Sequence, residues 1–122
     1  MSSEQLMAKA QRALAAATRA AQAGDTETAA DRAYYSVYYA AWALLDRSGS
    51  PRPKTHHGLI TEFSHLFVKN GPLDVAYGAV LSRLENLRLV ADYTLEPIPA
   101  ADVQRALTEA AQFIKAVKNL LE

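Results

Sequence analysis

Arg32-Ala33-Tyr34-Tyr35-Ser36-Val37-Tyr38-Tyr39-Ala40-Ala41-Trp42-Ala43-Leu44-Leu45 is the stretch whose reading decides the fold. It holds four of the six tyrosines and the only tryptophan of the 122-residue chain. Aromatic side chains carry large apolar area, yet each hydroxyl or indole N–H needs a partner once buried. A helix this aromatic is no ordinary surface helix. It is either the buried axis of a small bundle or a face that a partner covers. Tyr34, Tyr38, Ala41 and Leu45 share one helical face, which the period of 3.6 assigns to the core. Arg32, Tyr35 and Tyr39 share the adjacent face and suit a polar cleft or a subunit seam. Trp42 lies on the side of Tyr35 and Tyr38 and fits such a seam.

Around this segment the pattern gives five helices and no strand. The first runs from about Ser3 to Ala23, rich in alanine. Gly24 sits where a C-terminal glycine cap belongs, and Asp25 offers an N-cap to the aromatic helix. That second helix ends near Arg47, before the glycine- and proline-bearing stretch Ser48 to Lys54. Thr55 caps a third helix from about His56 to Lys69, broken by Asn70-Gly71-Pro72. A fourth runs from about Asp74 to Asp92, with Val80, Leu84, Leu87 and Ala91 as one buried stripe. Arg88 lies beside that stripe, with Leu84, Glu85 and Asp92 one turn away. After Glu96-Pro97-Ile98-Pro99 a last helix reaches about Leu121, with Pro99 in its first turn. Short connections between long helices predict an all-α, up-and-down bundle of four to five antiparallel helices, one domain over residues 1–122.

Composition narrows the function classes. Thirteen basic residues against thirteen acidic ones argue against a strongly basic surface that grips nucleic acid non-specifically. The lack of cysteine removes disulfides and thiolate metal sites and fits a reducing compartment. No stretch approaches the roughly 20 apolar residues of a membrane span, and the N-terminus has no apolar signal core. The expectation is a cytoplasmic protein without a membrane contact. His56 and His57 are neighbours, so they do not face one another on a helix, and no acidic cluster accompanies them. No metal site and no cofactor is expected.

Three separated motifs resemble the HEPN domain family, and more closely its small stand-alone bacterial and archaeal members. They are Arg32 to Tyr39 at the start of the second helix, Lys54-Thr55-His56-His57-Gly58-Leu59 before the third, with Phe63 after it, and Arg88-Leu89-Val90-Ala91-Asp92-Tyr93 closing the fourth. The resemblance covers about Asp25 to Tyr93. It implies a helical bundle that forms a homodimer, often paired as toxin with an MNT-type nucleotidyltransferase as antitoxin. The catalytic members of the family are metal-independent ribonucleases. Their motif is an arginine, usually followed by a polar residue, and a histidine with four to six residues between it and the arginine. Two such motifs meet across the dimer in one RNA-cutting cleft.

The chain departs from that pattern at the decisive place. Leu89 follows Arg88, and Asp92 and Tyr93 stand where the histidine would be. Imidazole both takes and gives a proton near neutral pH, whereas a phenol near 10 is a poor base. By resemblance, Arg88 would hold a scissile phosphate, Asp92 and Tyr93 would orient the site, and His56 would support it. Arg32, Tyr35 and Tyr39 would line the substrate surface. Tyr93, which ends the motif, is also a candidate for nucleotidylation by the partner enzyme. Against these stand plainer readings: Arg88 and Asp92 as an i, i+4 ion pair worth a few tenths of a kcal/mol, His56 as a helix cap or bridge, and Lys54 and Arg52 as solvated charge. Arg52 and His57 also satisfy the arginine–histidine spacing, but Arg52 falls in the proline loop rather than on a late helix and carries little weight. Two functions remain open: a toxin-like RNA-binding or RNA-cutting component, or a non-catalytic module that presents a nucleotide to a nucleotidyltransferase.

Overall fold

Four of the five helices start where a side chain satisfies a free backbone N–H. Ser2 and Gln5 form a reciprocal capping box that opens α1, Ser3–Gln22. Gly24 follows its end at φ 79°, a left-handed conformation that favours glycine. Asp25 accepts from the Thr28 N–H and opens α2, Thr26–Arg47. Thr55 accepts from the Gly58 N–H at 2.9 Å and opens α3, His56–Phe63. Asp74 does the same through Ala76 for α4, Val75–Tyr93. Pro99 precedes α5, Ala100–Leu121. In this computed structural model, which describes residues 1–122, these five α-helices form an all-α bundle with no strand.

The axis of the bundle is α2. It packs against α1, α3, α4 and α5, and twelve of its residues are buried. Tyr34 and Tyr38 lie in the core as their period requires, alongside Leu45, Leu59, Phe63, Leu81, Leu84 and Phe113. Fully burying a side chain such as Phe63 or Phe113 contributes about 1.5–3 kcal/mol. Alanines at 10, 17, 33, 40 and 41 let α1 and α2 approach closely. A smaller cluster of Ala29, Ala30, Ala91, Ile98 and Val103 seals the end of the bundle where α4 turns into α5. No helix is long and apolar enough to cross a membrane.

One expectation needs correction. The third helix does not run to Lys69 as a regular α-helix: from Ser64 to Lys69 it widens into a π-helical turn. The chain then folds back so closely that a Cβ on Gly71 would lie 2.5 Å from the Leu66 carbonyl oxygen and 2.6 Å from Phe67 Cα. The glycine is there for this approach of backbone to backbone. On α2, Tyr35, Tyr39 and Trp42 are only partly buried. The large exposed apolar residues are Met1, Val75, Leu89, Tyr93, Leu95 and Leu120, none of them on α2.

Away from the aromatic face, α4 and α5 are joined by charge. Arg83 pairs with Glu109, donating from Nε at 3.1 Å and again from Nη2, and Arg105 approaches the same carboxylate at 3.7 Å.

Gly71→Ala is expected to destabilise the fold by about 1–3 kcal/mol, the usual cost of forcing extra atoms into a packed site. Thermal or urea unfolding measures it; an unchanged midpoint would contradict the close approach.

Candidate functional site

The tyrosines of α2 stand at successive turns, and their rings form a continuous aromatic shelf. Tyr34 meets Tyr35 edge-on at 5.2 Å between centroids, and Tyr35, Tyr38 and Tyr39 meet at 5.7–5.8 Å. His56, the first residue of α3, lies on this shelf. Its ring stacks on Tyr38 at 4.5 Å and approaches Tyr34 and Tyr35 at 5.7 and 5.6 Å. Thr55 caps the helix, so the backbone delivers His56 to this place without strain.

Arg88 reaches the same rings from α4. Its guanidinium carbon is 5.1 Å from the Tyr34 centroid and 5.7 Å from that of Tyr35. Such contacts attract a cation to the ring face, more strongly when water is excluded. Only 11% of its side chain is exposed, so Arg88 is not lifted freely into solvent. Its one hydrogen bond runs from Nη1 to Asp92 Oδ2 at 3.4 Å, and Nε is the one buried side-chain N or O in the protein without a partner. A guanidinium carries five N–H donors. Arg88 thus keeps most of its capacity for an anion.

The other residues from the sequence fall into place around these two. Arg32 lies over Tyr35 at 5.0 Å and pairs with Asp31 at 3.1 Å. Tyr39 extends the shelf and carries Lys9 at 4.8 Å from its centroid. Asp92 is on Arg88, whereas Tyr93 is 75% exposed and makes no ring contact with the shelf. The structure therefore gathers Arg88, Asp92, His56, Arg32, Tyr35 and Tyr39 in one region and leaves Tyr93 at its margin.

Two contributors escaped the sequence reading. Arg52, discounted as loop charge, donates to the Tyr38 hydroxyl at 3.1 Å and lies over Trp42 at 4.5 Å. Glu85 accepts from the Tyr34 hydroxyl at 3.4 Å, while the same hydroxyl bonds His56 Nδ1 at 3.1 Å. The only signal for Glu85 was its place one turn before Arg88.

Proximity shifts the ionisation of the group. Burial, with the Arg88 and Arg52 charges, lowers the His56 pKa, against the pull of Glu85. Burial, reinforced by Glu85, holds Tyr34 far above the ordinary phenol value, and burial raises Tyr35 too. Asp92 is raised by burial and then by Asp31 beside it. A neutral imidazole between two arginines can accept a proton, and the arginines can hold a phosphate.

This region is a shelf, not a cavity. A half-open cleft of about 190 Å³ lies between α4 and α5, among Arg83, Leu84, Leu87, Asp102, Arg105, Ala106 and Glu109. That space contains no aromatic or histidine side chain, so the chemistry stays with the shelf.

The family model described as "HEPN domain" matches residues 3–120. The chain belongs to the HEPN domain family. Among relatives, a Methanocaldococcus jannaschii protein named "Putative toxin MJ0605" is 34% identical over 91 residues, covering 75% of this chain and 67% of its own length. A second from the same organism, "Putative toxin MJ0142", is 31% identical across 97% of this chain and 80% of its own. A Thermotoga maritima protein named "UPF0332 protein" is 30% identical over 78% of this chain and 72% of its own. All-α architecture and family membership agree with the motif reading of α2, α3 and α4.

In this HEPN domain the titration of His56, followed by NMR, is expected to have its midpoint below 6.5, the unperturbed imidazole value. Arg88→Gln removes a neighbouring positive charge and should raise that midpoint. An unmoved midpoint would mean the two side chains are not electrostatic neighbours.

Proposed function

We propose that this HEPN domain is the toxin-like component of a two-component system. It binds single-stranded RNA on the tyrosine–arginine shelf and cuts it without a metal. The observation that carries this reading is Arg88: a guanidinium pressed on two tyrosine rings, with a single long hydrogen bond and a buried Nε that has no partner. Stacking rings beside unsatisfied guanidinium donors are the elements that unpaired bases and backbone phosphates use. The toxin names of the two M. jannaschii relatives support the same direction.

In this reading Arg88 holds the phosphate and Asp92 steadies the guanidinium. Arg32, Tyr35 and Tyr39 carry the flanking nucleotides. The shelf is open on one side, and two copies facing one another would turn it into a cleft, so we assign a homodimer in the cytoplasm. Leu89, Tyr93 and Leu95, exposed around the end of α4, are the apolar surface nearest to it. An MNT-type nucleotidyltransferase is the assigned partner. The accessible Tyr93 hydroxyl would attack the α-phosphate of ATP and release pyrophosphate, placing a nucleotide beside Arg88 and silencing the site.

A second reading keeps the same shelf for nucleotide binding without cleavage. It is favoured by the absence of a histidine after Arg88 and by the small exposed fraction of that side chain.

Arg88→Ala, correctly folded by circular dichroism, should weaken binding of a 20-nucleotide single-stranded RNA about tenfold or more, as expected for lost charge-assisted hydrogen bonds. Where the protein cuts, the rate should fall about 100-fold or more. Equal binding and cleavage by the variant would remove Arg88 from the site. Incubation with the partner nucleotidyltransferase and ATP should add one or more nucleotide masses at Tyr93, read by peptide mass spectrometry; a Tyr93→Phe chain labelled to the same extent would overturn that assignment.

A further inference from the structure

The chain lacks the histidine that its family places after the motif arginine, yet the geometry supplies another from a different helix. We propose that His56 is the proton-accepting group of this site, with its Nε2 made available by a hydrogen-bonded relay through Tyr34 to Glu85. The inference rests on the ribonuclease reading above and assigns the one role that reading leaves without a residue.

The relay follows from counting protons. The Tyr34 hydroxyl has one hydrogen and two neighbours: Glu85 Oε2 at 3.4 Å and His56 Nδ1 at 3.1 Å. A carboxylate accepts but does not donate. The phenol hydrogen therefore goes to Glu85, and the phenol oxygen accepts from His56 Nδ1–H. With its proton on Nδ1, the imidazole presents a bare lone pair at Nε2, which makes no hydrogen bond within the protein. This is the means by which a second group selects a histidine tautomer. Burial and Glu85 keep Tyr34 a phenol, so the relay persists across the neutral range.

Position agrees with the role. His56 and the Arg88 guanidinium lie 5.1–5.7 Å from the same two ring centroids, those of Tyr34 and Tyr35. Both therefore lie against the same pair of rings, and the Arg88 charge is close enough to lower the His56 pKa. On the other side, Arg52 is fixed to the Tyr38 hydroxyl and the Trp42 ring. The rival bases are less suited. Tyr34 is buried, Glu85 lies behind it, and Asp92 is occupied with Arg88.

The step balances as follows. His56 Nε2 takes the proton of a ribose 2′-hydroxyl. The 2′-oxygen forms a bond to phosphorus, and the bond from phosphorus to the 5′-oxygen breaks. The departing 5′-oxygen takes a proton from water, and His56 returns its own to solvent. The products are a 2′,3′-cyclic phosphate and a 5′-hydroxyl end.

The test uses the full chain and a 20-nucleotide single-stranded RNA carrying a fluorophore and a quencher, with a fully 2′-O-methylated copy as control. The wild type should cut the first and not the second. His56→Gln should cut about 100-fold more slowly or worse while binding RNA within a few-fold of the wild type. His65→Gln, on the exposed π-helical turn, should cut normally. The wild-type rate should rise with pH through the His56 midpoint, below 6.5, and be flat above it. The groups facing His56 that set this midpoint are Tyr34, Tyr35 and Tyr38 of α2, Glu85 and Arg88 of α4, and Arg52. A His56→Gln chain that cuts at the wild-type rate, while Arg88→Ala does not, would overturn the proposal and leave the ribonuclease reading standing. A wild type that binds RNA without cutting would overturn the proposal and favour the non-catalytic reading. A wild type that neither binds nor cuts would end both. Independently of RNA, nitrogen NMR should show His56 protonated at Nδ1, with Tyr34→Phe shifting population toward Nε2–H. A wild-type His56 already protonated at Nε2 would break the relay.

Discussion

One constraint organises this molecule: the aromatic helix α2 must be covered, but its phenol oxygens must not be stranded. Four other helices wrap it and bury Tyr34 and Tyr38. Covering the rings is a matter of apolar area, whereas satisfying the oxygens needs polar partners inside the same packing. Those partners come from two places distant in sequence: Arg52 and His56, in the loop before α3 and at its start, and Glu85 on α4. The polar cluster of this HEPN domain is thus a consequence of its core. Arg88 joins it because the rings that fill the interior also offer a face to a cation.

The same arrangement gathers several cations at one place in a domain of zero formal net charge. Arg52 and Arg88 flank a neutral imidazole, and Arg32 and Lys9 sit over the outer tyrosines. Each of these cations is held against a ring. The acidic groups close by are engaged: Asp31 with Arg32, Asp92 with Arg88, and Glu85 with Tyr34. Four cations, Lys9, Arg32, Arg52 and Arg88, thus share this shelf with three carboxylates, Asp31, Glu85 and Asp92.

Much of this was legible in the sequence. Turn chemistry at Gly24, Asp25 and Thr55 and the period-3.6 stripe of α4 located the helices, and the tyrosine run located the axis. The motif residues Arg32, Tyr35, Tyr39, His56, Arg88 and Asp92 come together as their spacing and resemblance suggested. What stayed hidden depends on contacts between elements. Arg52 in a proline loop reads as solvated until the fold lays it over Trp42. Glu85 reads as a helix flank until Tyr34 is placed beneath it. The π-helical turn at Ser64–Lys69 had no periodic signature, because a single widened turn changes the phase of too few residues to alter an apolar pattern. The exposure of Leu89, Tyr93 and Leu95 likewise follows from how α4 ends, not from composition.

The clasp of Arg83 and Arg105 on Glu109 bears on the helix that carries Arg88. On one side α4 is held by dispersion and burial against α2; toward α5 it adds partly exposed ion pairs to an apolar contact that includes Tyr77 on Phe113. Dissolved electrolyte weakens the second kind of bond and leaves the first nearly untouched. Ionic strength would therefore act unevenly on this molecule, slackening α4 along its outer edge while the aromatic side keeps its grip.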